Sequence, residues 1–291
     1  ASPDPLWLGQ GGGRFSAQAK AATSTYDDVI PLDVDGDGRD DLLFNQQATG
    51  AAVLWRSTGG GAFTSIKLAP GAGHRPIVGD FDGDGRDEII WYGPGGASDS
   101  RWDWNGSGFN AAPLRINGNY ATIVGDFDGN GTDDIVFYAP GTAGDSMWLH
   151  KKAGGYATKA LTINGTYFPF RGDFDGNGVD DIVWYAPGTT RDSIWFGGSG
   201  ASFAPQAFTV NLSYTPIVAD LGGDGRDDLL WYARGDIDDL WTRWGADRSR
   251  RSVDLALGGT NVPVVGAFSG GGGDGIVWYG PGSAVDVVWF R

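Results

Sequence analysis

A net charge of −15 over 291 residues argues against nucleic acid and anionic membrane surfaces as partners, and the absence of cysteine removes disulfide and thiol chemistry. Hydrophobic residues at 41%, with 13 Trp, supply ample material for a packed core and exclude a disordered chain. No stretch approaches the roughly 20 apolar residues of a membrane span, and the start, Ala1-Ser2-Pro3-Asp4, reads as a mature end left by signal cleavage.

In chain order, residues 1–29 hold a strand-like segment around Trp7, and six related segments come after it. Each contains a nine-residue loop. Asp33 to Asp41, Asp80 to Glu88, Asp126 to Asp134 and Asp173 to Asp181 are intact, Asp220 to Asp228 has Gly222 at its third position, and Ala267 to Gly275 keeps no expected ligand carboxylate. The starts at 33, 80, 126, 173, 220 and 267 lie 46 or 47 residues apart, so one unit is repeated six times, a period that belongs to propellers and solenoids. An unbroken repeat with no linker makes residues 1–291 one domain.

Oxygens at loop positions 1, 3 and 5, a backbone carbonyl at 7 and a carboxylate at 9 suit a hard cation with about six to eight ligands, which is calcium rather than zinc. The predicted ligands are Asp33, Asp35, Asp37, Arg39 and Asp41 in the first copy, then Asp80, Asp82, Asp84, Arg86 and Glu88 in the second. The third copy supplies Asp126, Asp128, Asn130, Thr132 and Asp134, and the fourth Asp173, Asp175, Asn177, Val179 and Asp181. The fifth offers Asp220, Asp224, Arg226 and Asp228 and is expected to bind weakly; the sixth is expected to hold no metal. Gly36 and Gly38 let the chain fold back sharply. A lone run of Asp and Gly is only a solvated turn, but four intact copies at one spacing are a metal signature. At about ten times its dissociation constant each site adds roughly 1.4 kcal/mol, and four or five add roughly 6 to 7, a large share of a typical net stability of about 5 to 15. A structural role therefore suffices. Such sites work where calcium is millimolar, which places the protein outside the cell, and a secreted chain free of cysteine fits a bacterial source.

The first loop leads into Leu42-Leu43-Phe44 and the third into Ile135-Val136-Phe137-Tyr138, each a strand rather than an EF-hand helix. A full unit runs through Pro-Ile-Val-Gly-Asp-Phe, the loop, Asp-Ile-Val-Trp-Tyr-Ala-Pro-Gly, Asp-Ser-Ile-Trp-Phe and a last segment such as Phe203 to Val210. Four short strands between Gly-rich and Pro-rich turns predict an all-β propeller of six blades, each of four antiparallel strands. These residues resemble the FG-GAP and VCBS family of repeats over essentially the whole chain. That resemblance implies the calcium-bound propellers of integrin heads, of fungal and bacterial lectins and of secreted bacterial proteins, and its lectin members imply carbohydrate binding. The third-strand Trp occurs seven times, at Trp7, Trp55, Trp102, Trp148, Trp195, Trp241 and Trp289, against six loops. Residues 1–29 are therefore expected to complete the last blade begun by 262–291, leaving the Trp7 or the Trp289 segment as an extra edge strand; a seventh, incomplete blade is the alternative.

A second acid recurs three residues before the third-strand Trp, at Asp4, Asp99, Asp145, Asp192, Asp238 and Asp286, with Ala52 the exception. It either holds turn amides or lines a repeated sugar pocket beside an aromatic residue. For that pocket the candidates are Asp99, Asp145 and Asp192 with Tyr92, Tyr138 and Tyr185. In the pairs Trp91-Tyr92, Phe137-Tyr138, Trp184-Tyr185, Trp231-Tyr232 and Trp278-Tyr279 the first residue is assigned to the core and the Tyr hydroxyl to the ligand. Trp104 and Trp244, outside the repeat pattern, are either exposed stacking platforms or edge-strand packing. Arg243, Arg248, Arg250 and Arg251 form a basic patch, either a solvated loop or a contact for a uronic acid or sulfated polysaccharide.

No catalytic residue is assigned. The only histidines, His74 and His150, stand in different repeats and read as surface-loop or blade-edge residues. The sequence thus points to a secreted, calcium-stabilised propeller that binds carbohydrate at several weak sites. Two rivals stand beside it: a polysaccharide lyase or glycoside hydrolase with His74, Arg75, Arg115, Lys151 and Arg171 gathered at the propeller mouth, and a protein-binding adhesion platform.

Overall fold

The β-branched and aromatic run after the second, third, fourth and fifth acidic loops forms a strand with both faces covered. Glu88–Tyr92, Asp134–Tyr138, Asp181–Tyr185 and Asp228–Tyr232 are buried at all five positions. The computed structural model describes residues 4–9, 14–20, 25–141, 144–152, 154–188, 191–235, 239–257, 259–268, 272–280 and 287–289. In the third repeat Ala121–Gly125, Asp134–Tyr138, Asp145–His150 and Tyr156–Leu161 pair antiparallel in chain order. The first, second, fourth and fifth repeats build the same four-stranded sheet, and the sixth pairs Val262–Gly266, Gly275–Tyr279 and Val287–Trp289. The fold is the all-β, six-bladed propeller read from the sequence, with no helix among the described residues.

Trp289 faces Ile276, so its segment takes the third-strand place of the sixth blade. The Trp7 segment, Asp4–Gly9, instead pairs with Phe15–Lys20 in a two-stranded sheet. Gln18 of that hairpin donates from Nε2 to the carbonyl of Gly60, in the turn between the third and fourth strands of the first blade (3.1 Å).

The chain divides into two compact units. One comprises 1–8, 17–126 and 130–165; the other comprises 9–16, 127–129 and 166–291. In the first, Val34, Leu43, Leu54, Ile89 and Trp91 make one buried cluster, and Ile77, Phe81, Tyr92 and Phe137 belong to another. In the second, Phe174, Tyr185, Phe196, Trp231 and Trp244 pack together.

The pairing register corrects one alignment made from sequence. Leu42 faces Trp55, Ile89 faces Trp102, Ile135 faces Trp148 and Ile182 faces Trp195, but Leu229 faces Thr242 rather than Trp241. In the fifth blade the acid three residues before that place is therefore Asp239, not Asp238; Asp238 and Asp286 lie outside the described residues. A slip of one residue sends every side chain to the opposite face. Here it buries Trp244 among Phe174, Phe196 and Phe208.

Candidate functional site

Each of the first five acidic loops closes on its own first carboxylate. Asp33 Oδ1 accepts the amides of Gly36 (2.9 Å) and Asp37 (3.2 Å), and Oδ2 accepts that of Gly38 (2.8 Å). Gly36 and Gly38 sit at φ +71° and +76°, which a side chain would resist. At position 5, Asp37 Oδ1 accepts the Arg39 amide at 3.1 Å. Asn130 and Asn177 do the same for Thr132 (2.8 Å) and Val179 (2.7 Å). Their Nδ2 groups also donate to the carbonyls of His150 and Gly197 at 2.9 Å, so Asn here adds a tether to the third strand.

Within each intact loop the carboxylates converge. Ligand oxygens of Asp33, Asp35 and Asp37, of Asp80, Asp82, Asp84 and Glu88, of Asp126, Asp128 and Asp134, and of Asp173, Asp175 and Asp181 lie within 4.8 Å of one another in each group. Among the described residues the acids of the fifth loop make no such group. Oδ1 of Asp35, of Asp82 and of Asp175, all at position 3, is buried and has no hydrogen-bond partner among the described residues. An orphaned buried carboxylate oxygen is costly, and a cation in the loop would supply its partner. The donor set, all oxygen, fits a hard divalent ion. The other oxygen of each acid meets an arginine: Arg56 on Asp35 (2.7 Å), Arg101 on Asp82 (2.9 Å) and Arg248 on Asp175 (2.8 Å).

The acid at position 9 is sunk deepest. Asp41 accepts the amides of Val34 (3.3 Å) and Ser57 (2.6 Å), and Asp181 those of Phe174 (2.9 Å) and Gly197 (2.7 Å). Burial pushes these carboxyls up: Asp41 and Asp228 to about 6, Asp181 to about 7 and Glu88 to about 8. Amide hydrogen bonds oppose the rise at Asp41 and Asp181, and the Arg101 charge opposes it at Glu88.

Sequence reasoning gave position 8 no role, yet it joins neighbouring blades. The amide of Asp33 donates to Asp87 Oδ2 (2.7 Å) while the amide of Asp87 donates to the Asp33 carbonyl (2.9 Å). Asp80 with Asp133 and Asp173 with Asp227 repeat this exchange at 2.8 to 3.0 Å. The signal was present, because position 8 alone is Asp in all six copies.

The proposed sugar pocket is not where these acids stand. Asp99 accepts the amides of Gly93 (2.8 Å) and Ile116 (2.6 Å), Asp145 those of Ala139 and Ile163 (2.8 Å each), and Asp192 those of Ala186 (2.9 Å) and Val210 (2.8 Å). All three are buried, and each clamps the turn after the second strand to the segment after the fourth. Asp239 does the same with Ala233 and Leu257 at 2.8 Å. Tyr92, Tyr138 and Tyr185 are buried too, with hydroxyls donating to the carbonyls of Gly118 (2.7 Å), Gly165 (2.8 Å) and Leu212 (2.9 Å). The Trp or Phe of each pair lies in the core as assigned, but the assignment of Tyr92, Tyr138 and Tyr185 to ligand fails because both faces of their strands are covered.

Nor are Trp104 and Trp244 exposed platforms. With His150 they share one repeat position, two residues past the third-strand Trp place, and pack toward the preceding blade. Trp244 meets Phe174 (5.4 Å), His150 meets Phe81 (4.9 Å) and Trp104 receives the Arg56 guanidinium (5.7 Å). His150 is buried, contrary to the surface reading, and burial holds its imidazole down at about 4, hence neutral at pH 7. His74 Nε2 lies 2.7 Å from the Ser98 carbonyl, Arg115 Nε donates to Asn117 (3.2 Å) and Arg171 pairs with Asp180 (3.1 Å).

Besides the exposed Phe168, Tyr279 and Trp289, accessible aromatic surface recurs at the outer strands. Trp55–Phe63, Trp102–Phe109, Trp148–Tyr156 and Trp195–Phe203 bring a third-strand Trp onto a fourth-strand ring at 5.7, 5.7, 4.1 and 5.7 Å. Trp148 and Tyr156 stack at 11°, and Tyr156 is exposed. They wall a cavity of about 180 Å³ with His150, Leu114 and Pro113. A second cavity, about 320 Å³, is lined by Trp55, Phe63, Ser65 and Lys20. An aromatic seven or eight residues after the third-strand Trp would have marked these pairs in the sequence.

A blade that opens on an oxygen-lined loop of cation size defines a class, the loop-bearing repeat propellers. Residues 33–91 and 138–231, together more than half of the chain, match the FG-GAP-like repeat, and the chain belongs to that family. No curated protein matches it. Among solved structures it is similar to a lectin from Agrocybe aegerita, solved for its specific recognition of non-reducing terminal N-acetylglucosamine, with a TM-score of 0.74 at 18% identity over 95% of this chain and 82% of that one. Identity that low shows a common fold.

Proposed function

We propose that this protein is a secreted, calcium-stabilised carbohydrate-binding module with several weak sites along the outer strands of its blades. The observation that carries the reading is the stacked Trp148–Tyr156 pair, 4.1 Å apart, on the wall of a cleft. A flat aromatic face stacks on the apolar face of a sugar ring, while cleft polar groups can orient its hydroxyls. Recurrence of the pair in other blades would let a polymer be held at several points, with avidity above that of any one site. The similarity to a lectin supports the ligand class and makes terminal N-acetylglucosamine the first probe.

Calcium would be held by the four intact loops and more weakly by Asp220, Asp224, Arg226 and Asp228, its task being to stabilise the blades. We also propose that residues 1–29 complete the blade begun by 262–291; deletion of residues 1–20, which leaves the first-blade strand from Asp28 in place, is then expected to lower the melting temperature, and an unchanged melt removes the idea. The function is tested by a glycan array of the calcium-loaded protein beside Tyr156→Ala and Phe63→Ala, with breakdown of every bound glycan monitored. Binding of a neutral glycan that Tyr156→Ala or Phe63→Ala weakens supports the module. Breakdown of a glycan shifts the reading to a lyase or hydrolase, and silence from a folded sample shifts it to a protein partner.

A further inference from the structure

The third strand of the fifth blade departs from its counterparts in charge. Arg243 stands where Arg56 stands in the first blade, one residue past the third-strand Trp place. Arg56 has the carboxylate of Asp35, at loop position 3, as its partner at 2.7 Å. In the fifth loop that position is Gly222, and the guanidinium of Arg243 makes no hydrogen bond or ion pair among the described residues, resting instead 5.0 Å from the Trp241 ring.

Arg243 also sits directly opposite Arg251 across the antiparallel pair. The corresponding pairs in other blades are Arg56 with Thr64, Leu149 with Ala157 and Phe196 with Ala204. Like charges in register repel, so this pair is a cost that the other blades avoid. Both arginines, together with Arg226, line one cavity of about 280 Å³. Arg226 Nε is buried there without a hydrogen-bond partner among the described residues. The two acids of the cavity are engaged: Asp224 pairs with Arg226, and Asp247 Oδ1 accepts from the Ser249 hydroxyl (2.6 Å) and amide (3.0 Å).

We infer that the fifth blade carries an oxyanion site, in which Arg243, Arg251 and Arg226 bind a carboxylate or sulfate group of an acidic polysaccharide. Without the position-3 acid Arg243 lacks the carboxylate partner that Arg56 has, although Asp220, Asp224 and Asp228 remain in the loop, and its planar guanidinium fork matches an oxyanion with two parallel hydrogen bonds. A ligand of that charge would relieve the Arg243–Arg251 repulsion. This site is separate from the aromatic clefts and does not depend on them.

The test is calorimetric titration of the calcium-loaded full chain with tetragalacturonate, with a chondroitin sulfate oligosaccharide and with neutral chitotetraose. Arg243→Ala, Arg251→Ala and Tyr156→Ala are compared after their melts are matched to the parent. Binding of either acidic probe is expected, at least tenfold weaker in both arginine variants, unchanged in Tyr156→Ala and weakened by salt. Binding of the uronate names carboxylate as sufficient, and binding of the chondroitin sulfate alone, which carries carboxylates as well, names sulfate as the required group. Should Arg243→Ala fail to fold, Arg251→Ala, on the exposed fourth strand, reads the same cavity. No binding of either acidic probe, or equal binding by the arginine variants, overturns the site. Loss of chitotetraose binding in Tyr156→Ala alone would bear only on the clefts.

Discussion

Asp274 and Asp220 are tied by two hydrogen bonds: the Asp220 amide donates to Asp274 Oδ2 at 3.0 Å, and the Asp274 amide donates to the Asp220 carbonyl at 2.9 Å. The sixth loop retains no other acid, so what persists after the ligand positions are gone is the tie to the fifth loop. Joining blades and holding metal are thus separable tasks of one loop. The tie is close-fitting as well: a Cβ on Gly79 would stand 2.7 Å from Oδ2 of Asp133, the equivalent acid two blades along the series from the first.

Asp274→Asn is therefore expected to lower stability by about 1 to 2 kcal/mol, the worth of a charge-assisted hydrogen bond to an amide. The number of bound metal ions should not change. Denaturant melts paired with metal analysis check this, and a lost ion would mean that position 8 is a ligand after all.

Removing calcium with a chelator should lower the melting temperature by more than about 10 °C, since several sites are vacated together. Asp128→Ala should remove one ion per chain. Equal metal content in parent and variant would refute the ligand assignment, and an unshifted melt at matched ionic strength would refute the structural role.

The metal-free protein should become more stable on mild acidification. Asp41, Asp181 and Glu88 have folded values raised to about 6, 7 and 8 from ordinary values near 4. In that interval the folded state holds more protons than the unfolded state, so stability falls as pH rises through the folded values and is fully recovered below the unfolded ones. Melts in chelator should peak near pH 5 and decline toward pH 8. With calcium, which binds the ionised carboxylates, the decline should flatten or reverse. A chelated melt that rises from pH 5 to 8 would contradict the burial of these acids.

Asp145→Ala should cost about 2 to 4 kcal/mol, because the amides of Ala139 and Ile163 both lose a buried acceptor. Tyr156→Ala should cost little stability and weaken binding of neutral glycans, its ring being exposed. Melting and binding measured on both variants separate the clamp from the cleft; the reverse pattern would restore Asp145 to a ligand pocket.

Much was legible in the chain itself. Repeat period, strand number and loop chemistry are local: oxygen ligands at fixed spacing with glycines between them constrain the backbone whatever surrounds it, and Asp33, Asp35 and Asp37 do converge as their spacing requires. The rest depended on what the neighbours cover. Period-two alternation assigned one face of the second strand to ligand, but Tyr92, Tyr138 and Tyr185 are enclosed because blades pack on both faces. Counting back from a Trp chose Asp238, whereas cross-strand pairing with Leu229 selected Thr242 and therefore Asp239. A strand's register is set by its hydrogen-bonded partner and by which face can be buried, and neither is encoded within the strand's own residues. The tie from Asp274 to Asp220 likewise spans 54 residues, a distance at which sequence shows only that an acid is kept and tertiary structure shows what it holds.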